Sequence, residues 1–570
     1  MDRFRLYKGD DGRTKLDVPF RGYQLIRQPL LNKGTGFTEE ERRAFRLEGM
    51  LPAFYNPIQL QARRIHASIQ EKPTDLEKYI SLMALQDRNE HLFYRLLCDN
   101  LEAFMPIVYT PTVAEATRNF SQVFRRGRGV WITPDHRGRI AGVLAAASQF
   151  EGIRLLVVTD NESILGIGDQ GAGGMAIAIG KLALYTAAAG IHPAQTMPVC
   201  LDVGTNNRDL LDDGLYLGWR HPRLTGSDYR GLIEEFIGTV LKVFPGALVQ
   251  WEDFRKDNAL RILDTYRQRI PSFNDDIQGT GAVAAAGVLG AIRVTGIPLD
   301  EQRIAVFGAG AAGLGIARQL RALLSDAGLD EAGVAQGVAV LDSRGLLVSD
   351  RTLSDHYKQE LAWTESMARN SGLQDPDVRD LAAVVETYKP TVLIGSSGQA
   401  GAFTENIVRS MAKHVERPVI LPFSNPTAYS EAKPQDLFDW TDGRCLVATG
   451  SPFPDVVCGD RLVSIGQANN VFIFPGLGLG TILSGARTVT DGMISEASHA
   501  LADAVLEDEL KAGLLFPSIR RLRPVTRLIA AAVMQRAREE GVGTQMSDDE
   551  IEQSVAEAMW DPVYPDYVAI

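Results

Sequence analysis

The chain has 570 residues, 59 Lys+Arg against 71 Asp+Glu, and a formal net charge of -12. With 45% hydrophobic and 23% charged residues, it has the composition of a globule with several domains, not of a disordered or fibrous chain. The acidic balance excludes sequence-independent binding to nucleic acid or an anionic membrane, since no basic excess exists to replace phosphate counterions.

In chain order, Met1-Asp2-Arg3-Phe4-Arg5 leads into polar sequence without the apolar core of a secretory signal. The N-terminal region up to Gly152 reads as mostly helical, and Leu76 to Leu97 carries the near-3.6 apolar spacing of one amphipathic helix. A β-type run, Leu155 to Asp160, precedes a glycine-dense loop (Gly166, Gly168, Gly171, Gly173, Gly174) and an apolar helix from about Ala172 to Ala189. Pro198 to Gly204 reads as a buried strand ending in the polar turn Thr205-Asn206-Asn207. From Gln302 the rhythm changes: strands at Arg303–Phe307, Val338–Asp342, Thr391–Ile394, Pro418–Leu421 and Leu446–Ala448 alternate with helical segments. That alternation predicts right-handed βαβ units and a parallel sheet covered on both faces. The fold class expected is α/β: a helical and α/β region followed by a Rossmann-like, doubly wound parallel-sheet domain. The divisions expected are 1–276, 277–465, a returning segment 466–540 and a tail 541–570, with the main boundary near 277–300. The aromatic tail (Trp560, Tyr564, Tyr567) is expected to dock on a partner subunit. Apolar stretches such as Gly281 to Ile292 are too short to span a bilayer. Four cysteines with no C-x-x-C pair fit a reducing compartment, so a soluble, cytoplasmic protein is expected.

The clearest local motif is Gly308-Ala309-Gly310-Ala311-Ala312-Gly313, directly after a β-run and opening a helix. Glycines there permit a tight turn and close approach to a pyrophosphate, which the helix N-terminus attracts. The acidic residue closing the next strand, Asp342, lies 34 residues after Gly308, and the insertion Ser325 to Gln336 absorbs the excess over the usual spacing. Asp342 is placed to accept from a ribose 2′-OH, favouring NAD, whereas Ser343, Arg344 and Lys358 suit the 2′-phosphate of NADP; both cofactors stay open. Two acidic doublets, Glu252-Asp253 and Asp275-Asp276, lie within 25 residues of each other in apolar surroundings. Buried adjacent carboxylates need a cation or another partner, and hard oxygen donors suit Mg²⁺ or Mn²⁺. Lys181 is the one charged residue from Ala172 to Gly190. Held inside, with a metal nearby, its pKa is expected to fall toward neutrality, making it a usable base. Tyr109, in Tyr109-Thr110-Pro111-Thr112, is a weaker candidate. No G-x-S-x-G elbow, P-loop, H-E-x-x-H or zinc-type cluster is present.

Together these segments resemble the malic enzyme family. The resemblance is carried by Tyr-Thr-Pro-Thr-Val at 109–113, Gly-Lys-Leu-Ala-Leu-Tyr-Thr-Ala at 180–187, Leu-Asp-Val-Gly-Thr-Asn-Asn at 201–207, Trp-Glu-Asp-Phe at 251–254, Phe-Asn-Asp-Asp-Ile-Gln-Gly-Thr at 273–280, Phe-Ser-Asn-Pro-Thr at 423–427 and Asn-Asn-Val-Phe-Ile-Phe-Pro-Gly at 469–476. It runs in order from Pro29 to beyond Gly480 and is closest to the large-subunit bacterial and eukaryotic form. It implies oxidative decarboxylation of L-malate to pyruvate and CO₂ with reduction of NAD or NADP, in a homodimer or homotetramer. By the same resemblance Glu252, Asp253 and Asp276 ligate the metal and Asp275 lies beside them, tuning Lys181. Lys181 is the base that takes the hydroxyl proton as hydride leaves C2, and Tyr109 is the acid that protonates C3. Asn425, Asn469 and Asn470 contact malate, with Asn425 also on the nicotinamide side of the cofactor. The first region would thus hold malate and metal, and residues 277–465 the dinucleotide.

One departure stands out. The family's Thr-Asp-Gly-Glu-Arg-Ile-Leu-Gly is here Thr159-Asp160-Asn161-Glu162-Ser163-Ile164-Leu165-Gly166, so the arginine that pairs with a substrate carboxylate is Ser163. Arg154 is a neighbouring guanidinium in sequence. The alternatives are a malolactic enzyme, an amino-acid dehydrogenase with a similar two-domain layout, and a non-catalytic dinucleotide-sensing protein.

Overall fold

The computed structural model describes residues 6–10, 12–148, 152–164, 166–353 and 355–570; the five N-terminal residues read for a signal lie outside these. Two parallel sheets organise the chain. The first has five strands in the spatial order Val130–Ile132, Thr196–Leu201, Leu155–Thr159, Leu248–Glu252 and Ser272–Asn274, all parallel. Its central strand, Leu155–Thr159, is buried along its whole length, which is why it reads as a continuous apolar run and not an alternating one. The second has seven strands in the order Gly345–Leu346, Val338–Asp342, Ile304–Phe307, Val392–Gly395, Val419–Pro422, Leu446–Thr449 and Gly466–Gln467. Only the edge strand Gly345–Leu346 runs antiparallel to its neighbour. The parallel α/β reading holds, with strand ends shifted by one to three residues.

The helix Met175–Ala189 lies against strand Thr196–Leu201 and against helices Phe474–Ser484 and Leu522–Glu539 of the returning segment. Two helical stretches, Gly171–Ala189 and Asp275–Thr295, are long and apolar enough to cross a membrane, longer than the sequence reading allowed. They are 94% and 72% buried, so their apolar character serves the interior packing of this fold.

Leu76 to Leu97 is not one helix. It divides into Asp75–Gln86 and Glu90–Asp99, and the Asn89 side chain caps the second by accepting from the Leu92 amide at 2.9 Å. Both helices present their apolar faces to the same core, so the periodicity runs through the break.

The tail also departs from expectation, because it docks on its own chain. Strand Asp566–Ala569 pairs in parallel with Thr14–Val18. The Tyr567 ring packs edge-on to Phe37 and Phe45, and Trp560 packs against His91, Tyr94 and His192. The Tyr564 hydroxyl accepts from Asn89 Nδ2 at 2.7 Å. Buried Lys33 donates to Glu41 Oε1 and to the Pro565 carbonyl, both at 2.5 Å, and lies 3.8 Å from the Tyr567 ring centroid. A lysine head with both a carboxylate and an aromatic face is satisfied without water. The aromatic tail therefore closes the N-terminal region of its own subunit and does not speak for a partner. Tyr567→Ala should lower unfolding stability by roughly 2–4 kcal/mol, read in denaturant melts; an unchanged midpoint would show the tail to be dispensable for the fold.

Candidate active site

Parallel α/β sheets gather functional groups at the carboxyl ends of their strands. Strand Leu248–Glu252 ends on Glu252, and Asp253 follows with φ 59°, a left-handed conformation uncommon outside glycine. Neighbouring strand Ser272–Asn274 ends on Asp275-Asp276, which open a π-helical turn, Asp275–Gly279, before helix Thr280–Thr295. Pairing of Trp251 with Asn274 brings the two doublets side by side. Carboxylate oxygens of Glu252, Asp253 and Asp276 lie within 4.8 Å of one another. Asp276 Oδ2 accepts from the Asp253 amide at 2.8 Å. Asp253 Oδ2 is buried with no hydrogen-bond partner among the described residues. Oxygens ligating Mg²⁺ or Mn²⁺ at about 2.1 Å span at most about 4.2 Å, so these three carboxylates fit one such cation after a small contraction.

Lys181 reaches this cluster from helix Met175–Ala189. It is fully buried; Nζ donates to Glu252 Oε2 at 2.6 Å and to Asp275 Oδ2. Burial alone lowers its pKa, but Asp275 and Glu252 outweigh it and hold the ammonium well above the ordinary lysine value. Of the two lowering influences expected from the sequence, desolvation is present, but the two carboxylates are closer than it can overcome; a cation beside Glu252 would be the second. Burial raises Glu252 and Asp253 well above the carboxylate range, with Lys181 opposing and neighbouring acids adding to the shift, and pushes Asp276 up to about 6. The Tyr109 ring centroid lies 5.8 Å from Lys181 Nζ, and burial raises its hydroxyl pKa well above the usual value.

Sequence reasoning missed two residues behind this cluster. Tyr185, one helical turn after Lys181, donates its hydroxyl to Gln250 Oε1, and Gln250 Nε2 donates to Glu252 Oε2 at 3.1 Å. A glutamine in the buried strand Leu248–Glu252 was the available signal, since a buried amide needs a partner. Asn470, expected at the substrate, bonds the cluster itself. Its Nδ2 donates to Asp275 Oδ2 at 2.9 Å and to Thr280 Oγ1 at 3.1 Å, so it orients Asp275. Asn469 Oδ1 accepts from the Val471 amide at 3.0 Å. Asn425 Oδ1 accepts from Ser451 Oγ at 2.5 Å, at the end of strand Val419–Pro422.

The glycine-rich turn follows strand Ile304–Phe307 and opens helix Ala311–Asp326. Gly308 has φ 126°, and a Cβ there would meet the Ser396 carbonyl oxygen at 2.5 Å. A Cβ on Gly313 would lie 1.8 Å from the Gly308 oxygen, whereas Gly310 faces open space and Ala311 and Ala312 are half-buried. A tight turn with an open middle and a helix N-terminus behind it fits a pyrophosphate. Asp342 accepts from Arg351 Nη2 at 2.8 Å, Lys358 Nζ at 2.9 Å and the Arg344 amide at 2.9 Å. Burial opposes its ionisation, but these donors prevail and hold its pKa down at about 2. Lys358 is thereby spent on Asp342, while Ser343 and Arg344 are exposed. Helix Ala311–Asp326 presses on the carboxylate turn: a Cβ on Gly315 would meet the Ile277 carbonyl at 2.1 Å.

Fold and site define an α/β protein of the dinucleotide-binding class with a buried carboxylate–lysine centre. The family described as "Malic enzyme, N-terminal domain" matches residues 86–267, and "Malic enzyme, NAD binding domain" matches 277–538. An NAD-dependent malic enzyme of Proteus mirabilis (strain HI4320) is 45% identical over 558 residues, 98% of each chain. One from Salmonella arizonae is 46% identical over 557 residues, 97% of each. The crystal structure of Entamoeba histolytica malic enzyme has the same fold, with a TM-score of 0.55 and 22% identity over 90% of this chain and 91% of that one. The chain belongs to the malic enzyme family.

Two outcomes follow from the geometry. Carboxylates with raised pKa values must release protons to hold a cation. Affinity for Mn²⁺, measured by calorimetry, should therefore fall progressively as pH drops, first as Glu252 and Asp253 take up protons and then through about 6, where Asp276 follows; a flat profile from pH 7 to 5 would contradict the ligand set. Gly313→Ala should abolish dinucleotide binding or destabilise the fold; wild-type nucleotide affinity in that variant would show the turn to be looser than described.

Proposed function

We propose that this chain catalyses oxidative decarboxylation of L-malate to pyruvate and CO₂ with reduction of NAD. The observation that carries the reading is the position of Lys181, whose Nζ bridges Glu252, a proposed metal ligand, and Asp275. Glu252, Asp253 and Asp276 would hold Mg²⁺ or Mn²⁺, which supplies Lewis-acid polarisation of the substrate oxygen and offsets the carboxylate charge. The Gly308–Gly313 turn and Asp342 would hold NAD, which would supply the hydride acceptor.

Lys181 takes the C2 hydroxyl proton. To do so its Nζ must first be free of its own proton, a state that a cation held beside it at Glu252 would favour, while Asp275, oriented by Asn470, keeps Nζ in place. Tyr109 keeps its phenolic proton through the neutral range, because burial raises its pKa, and delivers it to C3 after CO₂ departs. Tyr185 and Gln250 hold Glu252 in register with Lys181. Asn425, Asn469 and Asn470 would contact malate, as the family resemblance implies. NAD is preferred over NADP because Asp342 presents an ionised carboxylate, and the curated relatives are named NAD-dependent. The homodimer or homotetramer and the cytoplasmic location rest on the family resemblance and on cysteine usage.

Purified protein with L-malate, Mn²⁺ and NAD should produce reduced cofactor and pyruvate together. Lactate without reduced cofactor would support the malolactic alternative, and neither product would sink the proposal. Lys181→Ala should cut turnover by roughly 10³-fold or more while NAD affinity is retained; undiminished turnover would remove Lys181 as the base. Tyr109→Phe should slow turnover by about 10²-fold, the usual cost of losing a positioned acid.

A further inference from the structure

We propose that Arg255 binds a carboxylate of the substrate in this chain, in place of the arginine that the family carries at position 163. The proposal rests on the malate-decarboxylating reading above. Charge makes the need plain. Four carboxylates, Glu252, Asp253, Asp275 and Asp276, face one ammonium, Lys181, so the centre stays net negative even with a divalent cation bound. A dicarboxylate substrate entering such a site needs a further cation.

Position 163 cannot provide it, being an exposed serine. Arg154 cannot either. It precedes strand Leu155–Thr159, about 20 Å of extended chain from Asp160, and its Nη2 donates to the Ile482 carbonyl at 3.3 Å. Arg223 is buried on Asp169 at 2.8 Å, and Lys256 is held by Asp355 at 2.7 Å.

Arg255 meets the requirement. The Ser163 amide donates to the Asp253 carbonyl at 2.9 Å, so position 163 abuts the proposed metal-ligand segment. Arg255 ends that segment, two residues beyond Asp253, as the N-cap residue of helix Lys256–Tyr266. Its Nη1 lies 3.3 Å from Oε1 of Glu162, the residue preceding Ser163. Glu162 Oε2 in turn accepts from Asn258 Nδ2 at 3.4 Å. A guanidinium from one loop is thus anchored beside the position where the family's guanidinium arises from another. The Arg255 side chain is 56% exposed and its ion pair engages one edge, leaving N–H donors for a planar carboxylate. Serine at 163 leaves room for the longer side chain.

The test is malate binding to the Mn²⁺-loaded full chain by calorimetry, alongside steady-state kinetics. Arg255→Ala should weaken malate binding and raise its KM roughly 10- to 100-fold, the usual cost of one charge-assisted pair. Affinities for Mn²⁺ and NAD should stay within about twofold of wild type, marking a loss confined to substrate. Adding Ser163→Arg to that variant should recover most of the malate affinity, whereas adding Glu162→Gln should not. Wild-type malate affinity in Arg255→Ala would overturn the proposal. So would parallel loss of Mn²⁺ and NAD binding, no recovery with Ser163→Arg, or recovery with Glu162→Gln. If the wild-type chain forms no reduced cofactor from malate, the malic enzyme reading itself fails; an active wild type with an unaffected Arg255→Ala sinks only the role of Arg255.

Discussion

The architecture of this site depends on one ammonium group taken entirely out of water. Lys181 is held by Glu252 and Asp275, and each of these comes from the end of a different strand. Isolated burial of any of these charges would cost several kcal/mol, and removing one partner of such a set typically costs about 3–5 kcal/mol. The strands Leu248–Glu252 and Ser272–Asn274 and the helix Met175–Ala189 must therefore keep their register for the charges to be compensated. Even so the compensation is incomplete, since acids outnumber the lysine and Asp253 Oδ2 has no hydrogen-bond partner among the described residues. The remaining negative charge is what a hard divalent cation would answer.

The same cluster ties the two sheets together. The π-helical turn that displays Asp275 and Asp276 continues into helix Thr280–Thr295, and helix Ala311–Asp326 lies against that turn at Gly315. The helix that opens the glycine-rich turn is thus in backbone contact with the segment carrying the carboxylates. Asn470, from the returning segment, bonds Asp275 directly. Three stretches distant in sequence thus meet at the turn that carries Asp275, so the placement of each depends on the other two.

Much of this was legible in the residue order. The glycine turn, the strand ending at Asp342 and the alternating strands after Gln302 all read correctly, because local steric demands and burial on both faces leave a local signature. The helix break at Asn89 did not, because the helices flanking it share one apolar face. The docking of Trp560 and Tyr567 on the N-terminal region was equally invisible, since an aromatic tail looks the same whether it covers its own chain or another.

The sequence by itself determined which groups are available: two acidic doublets, an isolated lysine in an apolar helix, a nucleotide-type turn, and a serine where an arginine is usual. Only the tertiary structure decided how these groups act on one another. Lys181 is held as the ammonium by its two carboxylates although it is fully buried, because the balance between desolvation and Coulomb attraction depends on distances of a few ångströms. Asn470 became a partner of Asp275, and Lys358 became a partner of Asp342, for the same reason. Arg255 came to lie beside Glu162 because two loops at adjacent strand ends were folded against each other, which no spacing along the chain records.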